Sequence, residues 1–160
     1  MYRIIDTPWN TTAYIPQLKS GGVETVIRYY NLEDSSSLPQ KQFQPDEASA
    51  LAAAGLTMAV VFEQTGGADG KIGDLDPANG SRDAAQALKL AAAIGQPHGS
   101  AIYFSVDYDY YESADLQTVE SYFAAVSEAL KGAYRLGVYG SGTVASAVVG
   151  AGHADLIWLA

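Results

Sequence analysis

The stretch Ala101-Ile102-Tyr103-Phe104-Ser105-Val106-Asp107-Tyr108-Asp109 decides the fold that the sequence predicts. Alternate side chains of a β-strand lie on the same face, and the character of these residues alternates. One face is apolar, suits packing beneath helices, and holds Ile102, Phe104, Val106 and Tyr108. The other face ends in two acids and holds Tyr103, Ser105, Asp107 and Asp109. The stretch therefore predicts a strand with two neighbouring carboxylates at its carboxyl end.

Outward from this stretch, β-rich runs alternate with alanine-rich ones. Strands are predicted at Arg3–Thr7, Thr25–Tyr30, Thr57–Glu63, Ala101–Asp107, Arg135–Tyr139 and Asp155–Ala160. Helices are predicted at residues 12–20, 45–54, 81–94, 115–131 and 142–150. Strands and helices that alternate at short spacing are typical of parallel strands joined by right-handed crossovers. A doubly wound sheet and a barrel both satisfy this pattern.

Length and composition indicate one globular domain over residues 1–160. Eighteen acidic and nine basic residues give a formal charge of −9, so a polyanion would meet net repulsion and nucleic acid is not an expected partner. The chain has no cysteine, which excludes disulfides and thiolate metal sites and leaves the cellular compartment unknown.

The sequence shows no signal for a membrane span, a signal peptide or a bound cofactor. No run approaches the roughly 18–20 apolar residues of a membrane helix. Residues 1–20 lack a basic start followed by an apolar stretch, so export to an outside target would depend on something else. Gln64–Gly80 is glycine-rich and predicts a functional loop, but it matches neither the P-loop nor the dinucleotide fingerprint. We expect neither cofactor nor metal.

Acidic residues recur at the predicted strand ends. Asp6 ends the first strand and Glu63 ends the third, while Asp107 and Asp109 end the fourth. Barrel enzymes take their catalytic groups from such ends, where side chains of separate strands converge. Crowded carboxylates push one pKa upward, as a general acid requires. The alternative for each acid is a helix cap or a turn former.

Aromatic residues at and near the strand ends indicate what kind of ligand such a site could bind. The chain has eleven tyrosines, several of them at strand ends, and Trp158 lies in the last predicted strand. Sugar rings present flat C–H faces that stack on aromatic rings, while acids accept the sugar hydroxyls. Tyr139 and Trp158 are the predicted stacking residues, although ordinary core or rim packing is the alternative for any single ring.

Several motifs together resemble the DUF1906, or Rv2525c-like, glycoside hydrolase-like domain. They run along essentially the whole chain and include Ile5-Asp6, Val26-Ile27-Arg28-Tyr29-Tyr30, Glu47-Ala48, Val61-Phe62-Glu63, Asp83-Ala84 and Gly95-Gln96-Pro97. The most specific piece is the Gly-Gln-Pro turn followed by the strand that ends in Asp-Tyr-Asp. On this resemblance Arg28 and Tyr29 are predicted to bind substrate.

That domain is similar in turn to the family 25 lysozymes, which cleave peptidoglycan glycan on a TIM-like barrel. The resemblance matches Asp6 and Asp107 to lysozyme acids on strands one and four. Asp109 stands where the lysozymes have their general-acid Glu, and its shorter side chain would set the proton donor back by about an ångström. Glu63 is the alternative acid. Asp107 is predicted to be the nucleophile or to stabilise an oxocarbenium-like transition state, and Asp6 to tune or orient these groups.

The predicted fold is a TIM-like (β/α) barrel of glycoside hydrolase type that lacks its last two strands. We expect a further chain segment, or another chain, to close it. The predicted function is hydrolysis of a β-linked amino-sugar polymer, specifically the peptidoglycan of bacterial cell walls. Two alternatives stay open: a non-catalytic barrel that binds glycan or another cell-envelope ligand, and an open α/β sheet with other chemistry.

Overall fold

The computed structural model describes residues 3–66 and 70–160, and six strands and five helices alternate within them. The strands are β1 Ile4–Asp6, β2 Thr25–Tyr30, β3 Thr57–Phe62, β4 Ala101–Ser105, β5 Arg135–Gly140 and β6 Leu156–Leu159. The helices are α1 Ile15–Ser20, α2 Pro45–Ala53, α3 Pro77–Ile94, α4 Ser113–Leu130 and α5 Gly142–Gly150. Short 3-10 turns at Thr12–Tyr14 and Ile72–Leu75 precede α1 and α3.

The strands form one parallel sheet in which spatial order equals chain order, β1-β2-β3-β4-β5-β6. Successive helices pack against one another, α2 on α3, α3 on α4 and α4 on α5. A doubly wound sheet reverses its strand order at a switch point and carries helices on both faces. A sheet whose strands follow chain order throughout, with all its helices in one layer, is instead typical of a (β/α) barrel. The described strands make a half-barrel of this kind.

Local sequence signals set the helix ends. Helix α2 begins with Pro45 in its first turn, and α3 begins where the Asp76 carboxylate accepts from the Ala78 amide at 2.8 Å. Gly95 ends α3 in the left-handed conformation with φ 71°, which glycine adopts without steric cost. The Ser141 hydroxyl caps α5 at the Val144 amide.

The apolar core lies between the sheet and the helices, on the convex face of the half-barrel. Alternate residues of β2 and β4 face this layer and are buried: Val26, Arg28, Tyr30, Ile102 and Phe104. Their neighbours in sequence face the concave side, where Tyr29 pairs in register with Val61 and Val61 with Tyr103. The predicted burial of Ile102, Phe104 and Val106 is confirmed.

The structure corrects two boundaries. Strand β4 ends at Ser105 and the chain turns, since the Tyr110 amide donates to the Tyr108 carbonyl, so the alternation does not reach Tyr108, which is 55% exposed. Helix α3 starts at Pro77 rather than Ser81, because Asp76 caps it. The loop predicted at Gln64–Gly80 is therefore shorter, and its residues 67–69 lie outside the described part of the chain.

The two edges of the described sheet are β1 and β6. On β6, Ile157 and Leu159 lie on the convex side and remain 48% and 61% exposed. That a further segment closes the barrel stays a prediction. None of the helices described is both long enough and apolar enough to cross a bilayer.

Candidate active site

Three carboxylates lie at the carboxyl ends of β1, β3 and β4. Asp6 is the last residue of β1 and accepts a hydrogen bond from the Tyr29 hydroxyl at 2.9 Å. Glu63 directly follows β3, and its amide extends the sheet by donating to the Tyr30 carbonyl at 2.9 Å. Asp107 follows β4 and is partly exposed. Parallel strands bring their carboxyl ends to one rim, which places these acids in one cleft.

Glu63 is fixed by two side chains. The Lys41 ammonium lies 2.7 Å from Oε2, and the Ser105 hydroxyl donates to Oε1 at 3.1 Å. Both members of the ion pair are shielded, since the Lys41 side chain is 8% exposed and that of Glu63 is 15% exposed. Lys41 also lies 4.9 Å from the centroid of the Tyr29 ring, at cation–π distance.

Lys41 was not predicted from the sequence. It lies on the irregular connection between β2 and α2, where no periodicity indicates which way a side chain faces. The one available signal is that Lys41 is the only basic residue between Asn31 and Gln44. A single lysine in such a polar stretch is ordinarily solvated, so the signal alone does not place it in the cleft.

Glu63 and Asp107 approach each other across Gly66. A Cβ built on Gly66 would lie 2.8 Å from Glu63 Oε1 and 2.9 Å from Asp107 Oδ2. The two oxygens are therefore separated by no more than about twice 2.9 Å. One oxygen of each carboxyl group thus lies close enough to the other for both groups to contact one ligand.

Asp6 has the electrostatic environment of a proton donor. Desolvation by its surroundings raises the pKa of the Asp6 carboxyl, and the nearby charge of Glu63 raises it further. The hydrogen bond from Tyr29 opposes that rise, as do the charges of Arg28 and Lys41. Asp6 nevertheless stays accessible from the cleft. A carboxyl group that keeps its proton to a higher pH than an ordinary aspartate suits general-acid catalysis.

Tyr139 connects the acids to an aromatic wall. Burial raises the pKa of the Tyr139 hydroxyl, and the charges of Asp107, Glu63 and Asp6 raise it further. All three carboxylates therefore lie close enough to Tyr139 to affect its ionisation. Tyr139 lies beside Trp158 in register, with ring centroids 4.7 Å apart.

Tyr103 completes the wall, with its centroid 6.2 Å from that of Trp158. Its ring lies against Gly137, where a Cβ would approach a ring carbon to 2.4 Å, so only glycine fits beneath it. The predicted stacking residues Tyr139 and Trp158 thus share the concave face with the acids.

Arg28 does not reach the cleft, which corrects its assignment as a substrate-binding residue. It faces the helix layer and its side chain is fully buried, because strand alternation puts it opposite Tyr29. Its Nε contacts both carboxylate oxygens of Glu47, at 3.0 and 3.1 Å. Nη1 and Nη2 donate to the carbonyls of Thr7 and Gln40. With these donors engaged, Arg28 has a structural role, whereas Tyr29 faces the cleft as a substrate-binding residue would.

Asp109 is also separate from the three clustered acids. It is exposed, lies beyond the turn that follows β4, and accepts no hydrogen bond from the described residues. The strand geometry that would have aligned it with Asp107 ends at Ser105, and Asp109 is not among the carboxylates that raise the pKa of Tyr139.

A second buried acid lies behind Glu63 in the helix layer. Asp83 on α3 accepts from the Tyr122 hydroxyl of α4 at 3.0 Å and from Arg82 at 2.8 Å. Burial raises the pKa of the Asp83 carboxyl, and the bonds from Arg82 and Tyr122 oppose the rise. Asp83 and Glu63 line the same small cavity of about 210 Å³. Asp83 thus joins α3 to α4 beneath the cleft.

The chain matches one family model and several known proteins. The model of the Rv2525c-like, glycoside hydrolase-like domain matches residues 16–157. The uncharacterized protein FadG of Bacillus subtilis strain 168 is 30% identical over 135 residues, which are 82% of this chain and 23% of that protein. The chain thus spans about a quarter of the length of this curated relative.

Among solved structures, Rv2525c, a Tat-secreted protein of Mycobacterium tuberculosis solved in complex with HEPES, has a TM-score of 0.83 at 22% identity, covering 97% of this chain and 76% of its own. A chitinase from Chromobacterium violaceum has a TM-score of 0.60 at 13% identity, covering 98% of this chain and 54% of its own. The modular autolysin LytC of Streptococcus pneumoniae, solved with a synthetic peptidoglycan ligand, has a TM-score of 0.55 at 14% identity over 85% of this chain and 32% of its own. At these identities the likeness shows the fold alone.

Proposed function

The chain belongs to the Rv2525c-like, glycoside hydrolase-like domain family, and from that premise we propose that it hydrolyses a β-linked amino-sugar glycan, specifically the glycan of bacterial peptidoglycan. The observation that carries the proposal is the convergence of Asp6, Glu63 and Asp107 beside the rings of Tyr139 and Trp158. Paired carboxyl groups that flank a glycosidic bond are the usual machinery of glycoside hydrolysis.

Asp6 and Asp107 take the two chemical roles. Asp6 donates its proton to the glycosidic oxygen, which leaves as an alcohol, and its raised pKa favours the protonated form more than in an ordinary aspartate. Asp107 places a negative charge beside the anomeric carbon, where the oxocarbenium-like transition state develops positive charge. Water then adds its hydroxyl to that carbon and returns a proton to Asp6.

Glu63 and Tyr29 position these groups. The ion pair with Lys41 and the bond from Ser105 hold Glu63 in one orientation beside Asp107. The Tyr29 hydroxyl donates to Oδ2 of Asp6, and Oδ1, which accepts no hydrogen bond from residues 3–66 and 70–160, carries the proton. Fixed dipoles and charges of this kind stabilise a transition state without reorganising during the reaction.

The proposed substrate class is supported by the aromatic wall and by the names of two proteins of similar fold. Tyr103, Tyr139 and Trp158 offer ring faces and edges on the concave side, which suit the C–H faces of sugar rings. The autolysin with the similar fold was solved with a peptidoglycan ligand, and the other neighbour is named a chitinase. Both names point to polymers of amino sugars.

The test is cleavage of purified peptidoglycan sacculi, followed by loss of turbidity and by the appearance of new reducing ends. The wild-type chain is expected to release reducing ends, and Asp107→Asn to lower the rate by about 10²–10³-fold, the range for loss of one preorganised electrostatic contact. A rate that Asp107→Asn leaves unchanged would contradict the proposed role of Asp107.

A second candidate is a non-catalytic barrel that binds the same glycan. The observation that favours it is the Lys41–Glu63 ion pair, which neutralises one cleft carboxylate. Co-sedimentation with sacculi distinguishes the two. Binding without any new reducing ends would favour this second function, and absence of both would rule out a peptidoglycan ligand.

A further inference from the structure

A groove lies beside the cleft, between the connections that follow β1 and β2. Two adjoining hollows of about 520 and 450 Å³ form it, and both are lined by Asn10, Tyr14 and Gln40. We call these hollows together the outer groove. Both connections leave the carboxyl ends of neighbouring strands, where Asp6 lies, and the smaller hollow also reaches Ile5 and Leu18 on the helix side of β1.

Two aromatic rings are exposed in the outer groove. Tyr14 is 60% exposed and lines both hollows, and Trp9 is 48% exposed and lines one of them. A single exposed ring is ordinary on a protein surface. Two rings in one groove next to a proposed glycan cleft supply the flat apolar surfaces on which sugar rings stack.

Amide side chains surround these rings. Asn10, Gln40, Gln42 and Gln44 line the larger hollow. Asn10 Oδ1 accepts from the Thr12 amide at 3.0 Å, and Gln40 Oε1 accepts from the Asn10 amide at 3.4 Å. The NH2 groups of Asn10 and Gln40 have no hydrogen-bond partner among residues 3–66 and 70–160. These donors therefore remain available to hydroxyl or acetamido oxygens of a ligand.

The walls of the groove are held rigidly from below. The buried Arg28 donates to the Gln40 carbonyl at 2.7 Å, and Glu47 accepts from both the amide and the hydroxyl of Thr11, each at 2.7 Å. One buried ion pair thus fixes a residue on each side of the groove. A site whose backbone is already ordered loses less entropy when it binds a ligand.

The charge around the groove selects the ligand class. Neither Lys nor Arg is among the described residues that line it, and Asp34 lines the larger hollow. An anionic ligand would meet this carboxylate and a net charge of −9. We propose that the outer groove is an additional subsite for uncharged amino-sugar units of a glycan strand that passes through the cleft. The choice of glycan rests on the function proposed above.

The two tryptophans of the chain give one reporter for each site, since Trp9 lies in the outer groove and Trp158 in the cleft. The experiment is a 15N NMR titration with the hexamer of β-1,4-linked N-acetylglucosamine. It uses the full chain carrying Asp107→Asn, so that hydrolysis does not consume the ligand. The two indole N–H signals are assigned with Trp9→Phe and Trp158→Phe.

We expect both indole signals to shift when the hexamer binds. The other possible outcomes lead to different conclusions. A shift of Trp158 alone would overturn the outer groove and leave the cleft standing. A shift of Trp9 alone would support the groove and contradict the proposed central site. No shift of either signal at millimolar hexamer would overturn both.

Matched tyrosine variants test the stacking surface itself. Tyr14→Ala is expected to raise the dissociation constant reported by Trp9 by about 3- to 10-fold, the range of one aromatic contact. Tyr111→Ala is the control, because this tyrosine follows β4 and is 71% exposed without lining the groove. Unchanged affinity in Tyr14→Ala, or an equal loss in Tyr111→Ala, would overturn the proposal.

Discussion

The buried ion pair of Arg28 and Glu47 allows a quantitative prediction for the variant Glu47→Gln. Both side chains are fully buried. Glu47 accepts from three donors: the Nε–H of Arg28, which is shared between its two oxygens, and the amide and hydroxyl of Thr11. Glutamine has one acceptor oxygen where glutamate has two, and it leaves the guanidinium without a counter-charge in the helix layer.

Removing one partner of a buried pair costs about 3–5 kcal/mol, because the remaining charge stays desolvated and uncompensated. For a domain of this size, each kcal/mol lowers the melting temperature by about 2–4 °C. Glu47→Gln should therefore melt about 6–20 °C below the wild type. It should also unfold at lower urea concentration with an unchanged slope.

The assay is urea and thermal unfolding followed by far-UV circular dichroism. Glu24→Gln is the matched control, since it removes the same charge from the exposed ion pair of Glu24 with Arg3. The Arg3 side chain is 70% exposed and that of Glu24 is 56% exposed. Exposed pairs are screened by solvent, so the control should melt close to the wild type. A Glu47→Gln variant as stable as Glu24→Gln would refute the structural role given to Arg28.

Three further changes test the cleft. Gly66→Ala puts a methyl group within 2.9 Å of carboxylate oxygens of Glu63 and Asp107, so hydrolysis of sacculi should fall while the unfolding midpoint changes little; equal activity would contradict the close approach. Gly137→Ala forces a methyl group into the Tyr103 ring and should cost about 1–3 kcal/mol in urea unfolding, whereas Gly150→Ala, which meets open space in a helix, should not destabilise. The raised pKa of Asp6 makes the folded state hold that proton more tightly than the unfolded chain, so the stability this proton contributes is lost as pH rises through the raised pKa. Urea midpoints of the wild type should accordingly fall relative to Asp6→Asn over that pH range, and parallel curves would contradict the shift.

The sequence pattern predicted those features of the fold that are set within a single strand. The buried face of β4 follows from a period of two along a strand, and Asp6 and Glu63 were located by the ends of their apolar runs. The same rule failed at Asp109, because alternation holds only while the strand lasts, and β4 ends at Ser105.

Contacts between elements could not be predicted in this way. Lys41 reaches Glu63 from an irregular connection, so no period indicates its direction. Arg28 was assigned to the substrate because of the motif around it, although its place on β2 opposite Tyr29 puts it on the helix side. Its partner Glu47 lies 19 positions further along the chain, on a helix whose packing the sequence pattern does not specify.

The most direct test of the three-carboxylate site compares Asp107→Asn with Asp109→Asn. The two variants make the same chemical change two positions apart, at a residue within the cluster and at an exposed residue outside it. The measurement is the rate at which reducing ends appear from purified sacculi. We predict a rate about 10²–10³-fold lower for Asp107→Asn and a near wild-type rate for Asp109→Asn. Equal loss in both variants, or greater loss in Asp109→Asn, would contradict the site described for this chain.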